Sequence, residues 1–149
     1  MPATRQAQAP LSRYAASPIV DLSVKADRDR LSPSAVKGFL NIMAKWSVRD
    51  ADAMGLLGGV SNGRFYAMKK APDAAGLDQD ELQRVSFLVG IFKTLNIIFG
   101  EDLADAWVQL PNQNRIFGGA TPLTYMIRGG LPAFQTVRRL LDARRGGLA

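Results

Sequence analysis

The side chains able to do chemistry in this sequence are arginines, lysines, carboxylates and a few hydroxyls, because histidine and cysteine are both absent. Their absence removes the commonest general base and the thiolate and imidazole ligands of zinc. No nucleophile with an adjacent base can be assembled. The carboxylates in informative places, Asp78, Glu81, Glu101 and Asp102, stand where apolar-periodic stretches begin, and capping and the helix dipole account for them there. No catalytic residue, metal or cofactor is therefore assigned, and the chemistry that remains is recognition. One set of recognisers is Ser61, Asn62, Arg64, Tyr66, Lys69 and Lys70, whose side chains can bond base edges or hold phosphates. A second set lies in the last 35 residues, from Arg115 to Ala149, where Arg144 and Arg145 precede Gly146 and Gly147 at the C-terminal end. Arginine's planar fork gives directional contacts to carboxylates and carbonyls.

Charge distribution separates the two sets. The chain of 149 residues carries 19 Lys plus Arg against 13 Asp plus Glu, net +6. Residues 1–77 hold eleven basic and six acidic groups, whereas residues 78–102 hold two and five. A basic front half suits a polyanion such as DNA; the plain alternative is a solvated surface. With 47% apolar residues there is material for one domain or two very small ones. The first thirty residues carry Arg5, Arg13, Lys25, Arg28 and Arg30 and no apolar run of the length a secretory signal needs, so the expectation is a cytoplasmic protein.

The elements that must position these residues read as helices throughout. Residues 1–32 alternate Ala, Ser, Pro, Arg and Asp without a period and read as a flexible arm, with one short extended piece at Ile19, Val20, Leu22 and Val24. Ser32 and Pro33 then have the types of a helix cap and first position, followed by Val36, Phe39, Leu40 and Met43 on one face. A second helix is expected from a Ser47 cap with Val48, Ala51, Met54 and Leu57 inward, and Gly58-Gly59 as its stop; a third opens at Ser61. Three short helices with a glycine turn between the second and third, over residues 33–72, have helix-turn-helix wiring. The same spacing serves a three-helix bundle with no role on DNA. Gly63 weakens the third helix by about 1 kcal/mol.

After the linker at residues 71–77, Asp78 and Glu81 begin a long helix that is apolar nearly all round, through Leu82, Val85, Leu88, Phe92, Leu95 and Phe99. The run is interrupted by Lys93 and Asn96 and is shorter than the roughly 20 residues a membrane span needs. Burial within the domain, or between two copies of it, is the better account. Glu101-Asp102 start a further helix with Leu103, Ala106 and Trp107 inward, closed by Pro111; a loop over residues 112–119 is pinned by Ile116 and Phe117. Thr121-Pro122 opens the next helix, Gly129-Gly130 ends it, and Pro132 restarts one with Phe134, Val137, Leu140 and Leu141 inward. The fold class expected is all-α.

Residue order in the C-terminal half resembles a known family. W-V-Q-L-P-N (Trp107 to Asn112), then I-F-G-G-x-x-P-L (Ile116 to Leu123), then a G-G before a short apolar helix is similar to the toxin-binding domain of the Xre/MbcA/ParS antitoxins. The resemblance implies a partner toxin with a RES domain that consumes NAD or ADP-ribosylates, an Xre-like N-terminal helix-turn-helix that binds operator DNA and represses its own operon, and an antitoxin homodimer within a larger complex. It implies a dimerisation and toxin-binding domain over residues 78–149 and no cofactor for this chain. On it rest the toxin-binding assignments Asn112, Arg115, Phe117, Arg144, Arg145, Gly147, Leu148 and Ala149. The tail would enter or cover the toxin's active site, with Gly146-Gly147 passing a narrow entrance and the Ala149 carboxylate in a place meant for phosphate. The alternative is a free-standing repressor whose C-terminal half only dimerises or senses a ligand.

Overall fold

The computed structural model describes residues 20–147. Among them are seven α-helices and no strand, as the apolar spacing predicts: α1 (Lys25–Lys45), α2 (Asp50–Leu56), α3 (Asn62–Lys70), α4 (Gln79–Ile98), α5 (Glu101–Ala106), α6 (Pro122–Gly129) and α7 (Leu131–Gly147). Short 3₁₀ turns fall at Pro72–Ala74, Trp107–Gln109 and Arg115–Phe117.

Helix α4 is the axis. Its start is fixed locally: Asp78 Oδ1 accepts from Glu81 N at 2.8 Å while Glu81 Oε1 accepts from Asp78 N at 3.0 Å, a complete capping box. Its middle is fixed by burial, since Leu88, Ile91 and Leu95 have no exposed surface, each worth about 1.5–3 kcal/mol relative to exposure. Helices α1 and α7 pack along it and α5 covers its end. Most of the apolar circumference is thus covered within the chain, with Ile97 left 58% exposed.

The start of α1 departs from the sequence expectation. The helix begins at Lys25, so the irregular arm expected over residues 1–32 ends before it, and Pro33 lies inside the helix. Residues 1–19, including Ile19, lie outside the described residues; Leu22 and Val24 belong to a turn, just after Val20, in which Val24 N donates to Asp21 O. Ser32 is no cap. Buried, it donates from Oγ to Arg28 O at 2.6 Å and accepts from Leu77 N at 2.9 Å. This tie between α1 and the strap before α4 holds the helix through the proline, a tertiary contact outweighing a local signal.

Three further local readings change. Ala51, expected inward on α2, is exposed, and Ala53 and Leu56 take the buried places. Ser47 does not cap α2; it takes a left-handed turn at φ 54°, and Arg49 stands at the cap position. Leu103 does not point inward but is 46% exposed, and Ala104 takes the buried place on α5. The later helix starts follow the sequence closely, with Ser61 Oγ accepting from Arg64 N and Thr121 Oγ1 from Thr124 N, both at 3.2 Å. Gly130, at φ 65°, makes the sharp turn between α6 and α7.

Candidate functional site

The first candidate surface is the outer face of α3. Phe65 and Met68 are buried and turn Asn62, Tyr66, Lys69 and Lys70 outward. The glycine turn before it, with Gly58 at φ 95°, leads from α2 into the Ser61 cap. Most of the polar groups on this face are already engaged. Ser61 caps its own helix. Arg64, 40% exposed, closes its fork on the Glu81 carboxylate, with Nη2 donating to Oε1 at 2.7 Å and to Gly76 O at 2.8 Å, and Nη1 donating to Oε2. Glu81 is 3% exposed. That hydrogen-bonded carboxylate raises the guanidinium's pKa further above its usual range. Lys69 donates to Asp50 Oδ1 at 3.2 Å and lies over the Phe65 ring, and Tyr66 Oη donates to Asp50 Oδ2 at 3.4 Å. Asn62 and Lys70 keep side chains with no ion pair or hydrogen bond among the described residues. The expected set is therefore brought onto one helix, but Arg64 acts as a bolt between α3 and α4.

The second candidate surface is the loop after α5 with the end of α7. Phe117 is 4% exposed and stands edge-on to both Trp107 and Tyr125, with ring centroids 6.1 and 5.3 Å away. It anchors the loop, whereas Ile116, expected to help pin it, is exposed. Asn112 Oδ1 accepts from Asn114 N and Asn114 Oδ1 from Ile116 N, so the loop is shaped by its own amides. Arg115 projects outward without a partner among the described residues. At the other end, α7 continues through Arg144, Arg145 and Gly147, so the basic segment is presented on a helix up to that point. The Arg144 guanidinium lies 4.7 Å from the centroid of Phe99, and Arg145 is exposed. Leu148 and Ala149 lie outside the described residues.

Two side chains that join the halves were not singled out from the sequence. Gln109, in the Trp107–Gln109 turn, donates from Nε2 to Trp46 O at 2.7 Å and to Ser47 O at 2.9 Å, closing the end of α1. Arg84 donates to Asp80 and to Leu56 O and rests on the Phe134 ring, so it ties α2, α4 and α7 together. Burial of Trp107 beside Gln109 was the available signal for the first; an arginine on an otherwise apolar stripe was the signal for the second. Among the described residues no group of His, Cys, Asp and Glu could hold a metal, and no helix is long and apolar enough to cross a membrane.

Comparison with known proteins meets this geometry at the C-terminal half. Residues 94–147 match the model of the antitoxin Xre/MbcA/ParS C-terminal toxin-binding domain. That segment runs from the last turn of α4 to the end of α7 and contains the Trp107, Phe117 and Tyr125 cluster. Across 131 residues the chain is 34% identical to the uncharacterized protein y4oB of Sinorhizobium fredii, covering 87% of this chain and 98% of that protein. No solved structure matches.

Proposed function

The chain belongs to one family with the Sinorhizobium protein and carries the Xre/MbcA/ParS toxin-binding domain, and from this we propose that it is the antitoxin of a RES-domain toxin that consumes NAD or ADP-ribosylates. The observation that carries the reading is the match over residues 94–147, laid on a scaffold packed around Trp107 and Phe117 whose outward cations, Arg115 and Arg145, meet no carboxylate among the described residues. A charged group without an internal partner is available to another protein. The basic end of α7, continued by Leu148 and Ala149, blocks the toxin's active site, while the α5-to-α6 loop holds the complex. The protein acts by binding, in the cytoplasm, as a homodimer within the complex.

The same reading gives the α2, turn and α3 unit to operator DNA as a helix-turn-helix, with Asn62, Lys69 and Lys70 as the contact residues and Arg64 in a structural part. Internal pairing of Arg64 and Lys69 makes this a modest DNA reader.

The test is a purified complex with the RES-domain product of the neighbouring open reading frame. Deleting residues 144–149 should leave the complex intact and restore NAD consumption. A truncated complex that stays fully inhibited would remove the tail from the mechanism, and failure of the intact proteins to associate would remove the RES partner.

A further inference from the structure

Helix α5 is chemically unlike the rest of the surface. The segment from Glu101 to Leu110 carries three carboxylates and no basic residue in a chain of net charge +6. Ten of the 13 acidic residues have an ion pair or a hydrogen bond among the described residues; the three without are Glu101, Asp102 and Asp105, all on α5. The positive end of the helix accounts for the first two, which stand in its first turn. It does not account for Asp105. That carboxylate lies three and four residues from the other two, where like charges repel by a few tenths of a kcal/mol, and its Oδ1 is buried with no hydrogen-bond partner. A buried acceptor left unpaired costs about 1–3 kcal/mol.

Two exposed apolar side chains stand close to these acids along the chain. Ile97 on the last turn of α4 and Leu103 on α5 are 58% and 46% exposed, and both fall within the matched toxin-binding segment. Phe99 between them carries the Arg144 guanidinium on its ring. Exposed apolar side chains with polar groups at their rim mark interaction sites, and the exposed carboxylates of Glu101 and Asp102 supply the polar groups here.

We propose that Ile97, Leu103 and the Glu101, Asp102 and Asp105 carboxylates form a docking face for the toxin, and that the toxin segment seated there is apolar with lysine or arginine beside it. The occupant follows from charge complementarity and from the position of the patch inside the toxin-binding domain. The assignment presupposes the antitoxin reading and adds to it a contact separate from the tail: α5 fixes the partner while the end of α7 blocks it.

The test is isothermal titration of the full-length chain into the RES-domain product of the neighbouring open reading frame at 50 and 300 mM NaCl. Leu103→Ser and the pair Glu101→Lys with Asp102→Lys should each weaken binding at least tenfold while circular dichroism and the mass of the free chain stay unchanged. The charge-reversed pair should also lose most of the salt dependence shown by the parent. Unchanged affinity in both variants, with the parent still binding, would overturn the α5 face and leave the antitoxin reading standing. No binding by the parent would overturn both. A fall in the mass of free Leu103→Ser, seen by light scattering, would assign the face to a second copy instead.

Discussion

The outer face of α3 and the α5-to-α7 region differ in how they treat their charges. On α3 the cations turn back into the protein: Arg64 onto buried Glu81, Lys69 onto Asp50. In the C-terminal region Arg115, Arg145, Glu101 and Asp102 meet no opposite charge among the described residues, and the apolar side chains Ile97, Leu103, Leu110 and Ile116 of the same region are exposed. A self-satisfied surface binds weakly until its pairs are broken, whereas an unsatisfied one is ready for a partner. On the proposed reading, the difference assigns the strong contact to the toxin-binding end and a tunable one to α3.

The contrast depends on a rigid C-terminal scaffold, so the largest effect should come from removing its centre. Trp107 is buried between Phe117 and the core, and the turn it opens supplies Gln109 to the end of α1. Trp107→Ala should lower the unfolding free energy by about 3–5 kcal/mol, the usual cost of an aromatic cavity. Urea denaturation measures it. A loss under about 1 kcal/mol would mean that the loop carrying Arg115 is not held by this cluster, and the C-terminal surface could not be called preformed.

An intermediate effect is expected at the Arg64 and Glu81 pair, which decides whether α3 is self-satisfied. Removing one partner of a buried pair costs about 3–5 kcal/mol, and because Arg64 is 40% exposed the cost should fall to about 2 kcal/mol. Arg64→Ala should be the worse of the two single changes, since it leaves a carboxylate of 3% exposure without its fork. The double change to Ala and Gln should recover part of the loss, giving a coupling of about 1 kcal/mol in a double-mutant cycle. Strict additivity would show that the two residues do not act as a pair, and Arg64 would then return to the list of DNA contacts.

How much of this was legible from the residues alone differs along the chain in a physically consistent way. Caps that act within four residues, at Ser61, Asp78 and Thr121, stand where their types predict, because their partners are local. Ser32 and Ser47 have the same composition signal and fail as caps, the first because its hydroxyl is claimed by Leu77 N, 45 residues away, and the second because it is held left-handed in the turn that ends α1, where its N–H donates to Ala44 O, and not in the extended conformation a cap needs. Candidate site residues follow the same division. That Lys69, Tyr66 and Lys70 face outward is a matter of helical period, and the period shows it. That Arg64 meets Glu81 and that Phe117 sits between two rings depends on tertiary placement, which no spacing rule reports.

The smallest effect on stability should be the sharpest test of the α3 face. Asp50 holds both Lys69 and Tyr66, with Lys69 and Asp50 each 43% exposed. Ion pairs so open to water contribute about 0–1 kcal/mol, so Asp50→Asn should change the unfolding free energy by no more than about 0.5 kcal/mol. Its effect on DNA binding runs the other way and is larger. The substitution removes a negative charge from the face that would approach phosphates and frees the Lys69 ammonium. A single charge beside a phosphate at an effective dielectric near that of a protein surface is worth about 1 kcal/mol after screening, so operator affinity should rise about three- to tenfold in mobility shifts at low salt. The gain should shrink as salt rises, with a steeper salt slope than the parent's, because one more cation displaces counterions. Lys70→Ala, which breaks no internal pair, should lower affinity and flatten the slope by a similar step. If Asp50→Asn and Lys70→Ala both bound operator DNA like the parent at every salt concentration, α3 would not be the DNA surface, and its pairing of Lys69 with Asp50 would be no more than a solvated contact on a structural helix.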